Sequence, residues 1–186
     1  MLPERQLMSG TDIRLRFSAE DEDLFNSARI LILFDVLREK GNLNGTNIER
    51  IGYYDFFSAQ PFLVFGKEEE EIKQELLLQG FESNTVGYIS SSQRFTNRRE
   101  KLKHYLAGLL MRNLIDVNNI DGQLLYSITN EGKRIASQFK SLYGKAYKKS
   151  AEIVTTKLSK MRDKELSEKA RQWLKAEPFI IDLYDF

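Results

Sequence analysis

The stretch that most constrains this chain runs from Thr96 to Phe139. Leu102, Tyr105, Leu106, Leu109 and Leu110 recur at helical spacing and make one apolar stripe, which predicts a helix opening at about Thr96. Leu114, Ile115 and Val117 then begin a strand, and Asn118 to Gly122 form a polar turn containing Asp121-Gly122. Leu124, Tyr126 and Ile128 alternate as a returning strand. Thr129 stands where an N-cap is wanted, ahead of a helix carrying Glu131, Gly132 and Ile135.

Helix, strand, turn, strand and helix in that order are the core of a winged helix-turn-helix. The fragment YSITNEGKRIA resembles the end of the wing in many winged-helix regulators, with its pattern of Tyr, any, apolar, Thr, any, any, Gly. The expected fold class is therefore mainly α with a small β-hairpin wing, a winged helix-turn-helix with additional N- and C-terminal helices. A plain helical bundle with a stray hairpin is the competing reading. The expected organisation is an N-terminal helical part over 1–95, the winged-helix core over 96–143, and C-terminal helices with an apolar tail over 144–186.

The flanking sequence fits that division. Ile13, Leu15 and Phe17 alternate with Arg14 and Arg16, as in a short edge strand. Ser18 to Asp23 puts acid at a helix start, where the helix dipole favours it. The helix runs to about Lys40, so apolar that burial on most sides is expected. Thr46 and Glu49 have the spacing of a capping box ahead of a helix bearing Ile48, Ile51, Tyr54 and Phe57. A further helix is expected over Lys67–Gln79, and linking sequence over 81–95. Beyond Phe139 the pattern stays helical and Lys-rich, with Asp163 placed to cap a last helix carrying Leu166, Ala170 and Trp173. These helices either pack as an antiparallel pair or protrude toward a partner. Six of the eight tail residues from Phe179 to Phe186 are apolar, so something is expected to cover them.

With 41% hydrophobic residues the chain can bury a real core. Cysteine is absent, which excludes disulfides and fits a reducing cytoplasm. No apolar run approaches the ~20 residues of a membrane span. A cytoplasmic protein without membrane contact is expected. The net charge of +1 hides an asymmetry. Met1 to Gln93 carries 9 basic and 16 acidic residues, Arg94 to Lys175 carries 19 and 8, and the last eleven residues carry three acids and no base. A basic second half raises the odds of a polyanionic or acidic partner.

Nothing points to catalysis. The chain has no P-loop and no glycine-rich dinucleotide fingerprint. His104 is its only histidine, so a zinc site would have to be rich in carboxylates. No catalytic residue, metal site or cofactor is expected. The nucleic-acid case rests on Arg94, Arg98, Arg99, Lys101 and Lys103, at the start of the helix that would approach a groove, with Lys133 and Arg134 extending the positive surface. The wing tip of Asn118, Asn119 and Asp121 carries no base, so nonspecific contact with double-stranded DNA is favoured over operator reading. A merely solvated basic face is the bland alternative. Tyr53, Tyr54, Phe56 and Phe57 put four aromatics in five residues, either a core seam or a partner-binding surface. Phe179, Ile181, Leu183, Tyr184 and Phe186 are the second candidate partner surface.

One pattern goes beyond the generic fold. Arg29-Ile-Leu-Ile-Leu-Phe-Asp-Val-Leu, then Ile48-Glu-Arg-Ile-Gly-Tyr-Tyr-Asp-Phe-Phe, then Gln60-Pro-Phe-Leu, with Thr129-x-x-Gly132 downstream, resembles the middle components of ABC-three-component systems. The likeness covers roughly residues 25–140. It implies a non-enzymatic bacterial subunit encoded beside an SMC/Rad50-like ATPase and an effector that is often a nuclease, as in Lamassu-type anti-phage and anti-plasmid defence. Its implied role is to bridge the ATPase and the effector. The alternative is a free-standing winged-helix transcription regulator, dimeric through its C-terminal helices.

Overall fold

The computed structural model describes residues 23–82 and 90–175. The first helix, α1 (Asp23–Glu39), lies at the centre. Ile30 to Phe34, Val36 and Leu37 are each at most 6% exposed. Such a helix needs neighbours on all sides. They are α2 (Ile48–Ala59), α4 (Ser91–Met111), α5 (Asn130–Ala136), α6 (Leu142–Leu158) and the strand β3 (Gln123–Ile128). Two further helices, α3 (Glu70–Leu78) and α7 (Asp163–Lys175), complete the helices of the described residues, with a short 3-10 turn at Pro61–Leu63.

The chain is mainly helical with a small antiparallel sheet, as the pattern of the sequence predicts. The sheet has three strands rather than two, in the order β1-β3-β2. β2 (Ile115–Ile120) pairs with β3 from Ile115↔Ile128 to Ile120↔Gln123. The strands run to the very tip, so the turn shrinks to Asp121-Gly122, both at positive φ (52° and 79°). A two-residue hairpin turn of the primed type needs that geometry, and glycine adopts it without strain. The added strand, β1 (Thr46–Asn47), lies on the other side of β3, opposite Tyr126 and Leu125.

That strand corrects the reading of Thr46. Its backbone is taken into the sheet, and its hydroxyl accepts from Asn42 Nδ2 at 2.7 Å. The cap of α2 is instead Asn47, whose side chain accepts from the Arg50 amide at 2.9 Å. Just past the end of β3, Thr129 caps α5 as expected, accepting from the Gly132 amide at 2.9 Å. Two boundaries move. α3 begins at Glu70 rather than Lys67, and α4 begins at Ser91, taking Arg94 and Phe95 into its first turns.

One cluster of buried side chains runs through helices from all parts of the chain. α6 does not protrude: its Tyr147, Ala151, Val154 and Leu158 are fully buried where it packs on α1 and α2. Arg50 ties α2 to the start of α7, pairing with Asp163 and donating to the Met161 carbonyl at 2.5 Å and to the Tyr54 hydroxyl at 2.8 Å. The strand expected over Ile13–Phe17 and the tail residues Phe179, Ile181, Leu183, Tyr184 and Phe186 lie outside the described residues.

Candidate functional site

The basic helix α4 divides its cations between two faces. Arg94, Arg98 and Lys101 recur at i, i+4 and i+7 and line one shallow cavity of about 380 Å³. Arg99 and Lys103 point elsewhere on the helix, and Arg99 forms an ion pair with Glu49 of α2. Lys133 and Arg134 sit on α5, and Arg134 is held by Glu131 of its own helix at 2.5 Å. The seven cations are therefore not one continuous surface. Three converge, and two of the others carry carboxylate partners.

Arg98 has only 15% of its side chain accessible. Its guanidinium lies over the Phe56 ring, 5.8 Å from the centroid, and its Nε is 3.5 Å from Asp55. Asp55 is the centre of a buried polar knot. Arg29 of α1 donates to both of its carboxylate oxygens, at 2.8 and 3.0 Å, and the Tyr147 hydroxyl of α6 donates at 3.0 Å. Burial alone would raise the Asp55 pKa, but Arg29 and Arg98 beside it, with the bonds from Arg29 and Tyr147, hold it below the ordinary carboxylate value. Burial works against the charge on Arg29 as well, and Asp55 overrides it and keeps the guanidinium protonated. The Tyr147 hydroxyl is pushed well up by burial and by Asp55, so it acts only as a neutral donor.

This knot was missed at the sequence level, although its signal is present. Arg29 is the lone charge in Ala28–Phe34, and Asp55 is the lone charge in Tyr53–Ala59. A single charge inside an apolar run must find its opposite or be expelled.

The aromatic run is spent in the same place. Tyr54, Phe56 and Phe57 are 3%, 1% and 0% exposed, so the core-seam reading describes them. Phe56 meets Phe95 edge-on at 5.2 Å, and Phe57 meets Trp173 of α7 at 5.3 Å. Tyr53 is half-buried at the margin, stacked on Phe95 at 5.4 Å. These rings are what α4 and α7 pack upon, which is why they leave the surface.

Elsewhere the β2–β3 hairpin exposes apolar side chains at Val117, Ile120 and Leu124, and its tip carries no base. His104 is exposed and sits 3.2 Å from Asp23. Among the described residues no three His, Asp or Glu side chains gather where a metal ion could be held, and no helix is long and apolar enough to cross a membrane.

The family model of the ABC-three component (ABC-3C) system Middle Component 2 matches residues 24–177. The chain belongs to that family. The matched span takes in the described elements from α1, less its first residue, to α7, so the polar knot and the sheet both fall within it. No curated protein and no solved structure matches this middle component.

Proposed function

We propose that this middle component is a non-enzymatic adaptor in a bacterial anti-phage or anti-plasmid defence complex of the Lamassu type. It bridges an SMC/Rad50-like ATPase and an effector, a nuclease by preference, in the cytoplasm. Its membership of a system built from several components is the observation that carries this reading. The body is read as a winged helix. β1, which precedes α2, pairs with β3 rather than β2, and α4 leads straight into the β2–β3 hairpin, which supports that reading. Partner contact is assigned to the apolar tail residues Phe179, Ile181, Leu183, Tyr184 and Phe186, and to exposed wing residues such as Ile120 and Leu124. DNA contact through the α4 cations is secondary and nonspecific, since several of them are engaged within the chain.

The test is co-purification of the tagged chain from its native cell, with the interactors identified by mass spectrometry. A large coiled-coil ATPase and a second protein in fixed ratio are expected, and truncation before Pro178 is expected to reduce both. Recovery of a homodimer with one enriched promoter fragment would replace the adaptor with a transcription regulator.

A further inference from the structure

Beneath α4, two guanidinium groups share one carboxylate. Asp55 accepts three hydrogen bonds from Arg29 and Tyr147, and Arg98 Nε stands 3.5 Å from its Oδ2. Arg29 Nη1 and Arg98 Nη2 are buried with no hydrogen-bond partner. Arg29 and Asp55 balance each other, so the charge of Arg98 is left over. A largely buried cation with an unmet donor is costly unless something negative comes to it.

Directly over that excess lies the 380 Å³ cavity lined by Arg94, Arg98 and Lys101, with Asn26, Asn97 and Tyr105 as neutral hydrogen-bonding groups and Glu100 as the one acid among the described residues that line it. We propose that this pocket binds a phosphate group, with Arg98 as the fixed cation at its base and Lys101 as the mobile one at its mouth. The planar fork of an arginine matches phosphate oxygens, and packing against Phe56 and Asp55 holds this fork in place before a ligand arrives. The exposed ammonium of Lys101 adds charge without fixed geometry. The phosphate can come from a nucleic-acid backbone or from a free phosphorylated molecule. The site stands on the pocket and its charge, and does not depend on the bridging role.

The experiment is calorimetric titration of the full chain with sodium pyrophosphate, repeated with a 20-base-pair duplex and with an oligoglutamate peptide. Wild type is compared with Arg98→Gln, Lys101→Gln and, as a control on the exposed face of α7, Lys169→Gln. Saturable pyrophosphate binding is expected, weakened about tenfold by Arg98→Gln and by Lys101→Gln, and unchanged by Lys169→Gln. If Arg98→Gln fails to fold by circular dichroism, the exposed Lys101→Gln variant carries the test. Competition between duplex and pyrophosphate identifies the nucleic-acid backbone as the source, and its absence identifies a free phosphorylated ligand. No saturable pyrophosphate binding, equal binding by Lys101→Gln, or binding of oligoglutamate in place of pyrophosphate would overturn the proposal. Failure to recover an ATPase from cells would leave these titrations unaffected.

Discussion

Replacing Gly132 with alanine sets two effects against each other. Gly132 lies inside α5, where glycine is ordinarily the poorer helix former by about 1 kcal/mol, so propensity alone makes Gly132→Ala stabilising. The packing says the opposite. A Cβ at this position would overlap the Leu114 carbonyl oxygen, and would come within 2.8 Å of Ile128 Cγ1 and 2.9 Å of the Leu114 carbonyl carbon. That carbonyl cannot step aside cheaply, because it accepts from the Thr129 amide and from the Thr129 hydroxyl, each at 3.1 Å. The first turn of α5 is thus pressed onto the base of the β2–β3 hairpin, and the Thr-x-x-Gly pattern is the local record of that contact. Forcing a methyl group into a packed site costs roughly 1–3 kcal/mol, and more where backbone must move. Backbone must move here, so the overlap outweighs propensity and a net loss of about 2 kcal/mol is expected. For a chain of this size that lowers the melting temperature by about 4–8 °C. Urea unfolding followed by circular dichroism, with wild type alongside, measures the difference. A variant as stable as wild type, or more so, would show that α5 is not seated on Leu114 and would refute the reasoning.

Two further outcomes follow from the ion pairs. Asp55→Asn keeps the shape of the side chain but leaves Arg29 buried without a counter-charge, so a loss of about 3–5 kcal/mol is expected in denaturant unfolding. Because the folded-state pKa of Asp55 is depressed, its contribution is fully present above the ordinary carboxylate pKa and is lost as pH falls through the folded value. Wild type should therefore lose stability below about pH 4 more steeply than Asp55→Asn does, and parallel acid profiles would count against the pair. By contrast, Arg99→Ala breaks a pair whose two side chains are both about half exposed, and should change stability by less than about 1 kcal/mol; a larger loss would mean that Arg99 does more than hold Glu49.

Much of the fold was legible because its signals are local. The stripe of α4, the Asp121-Gly122 turn, the alternation of β3 and the Thr129 cap each follow from a few consecutive residues. The parts that were not legible depend on distant ones. Thr46 joins a strand only because Tyr126 comes alongside it, and nothing in Thr46-Asn47-Ile48-Glu49 announces that partner. The capping spacing is real, but sheet pairing and the stronger Asn47 cap displaced it. α4 begins earlier than expected because Phe95, seven residues before Leu102 and in step with its stripe, anchors the first turns on Tyr53 and Phe56. The candidate site divides in the same way. The cations were visible as a cluster in sequence, whereas the engagement of Arg98 with Asp55 and Phe56 required the fold. The aromatic run admitted both a core and a surface reading until α4 and α7 were placed upon it.

The polar knot also has a consequence for how the chain is made. Its members stand at positions 29, 55, 98 and 147, contributed by four different helices. Synthesis proceeds at about 5–20 residues per second, so roughly 6–24 seconds separate the emergence of Arg29 from that of Tyr147. Throughout that interval the central helix α1 is outside the ribosome without the helix α6 that will cover it. Asp55 likewise has an arginine but not yet its hydroxyl. The first half cannot settle early and wait for the second. The nascent middle component must keep its central helix available, whether to a chaperone or to solvent, until nearly four-fifths of its sequence has been translated.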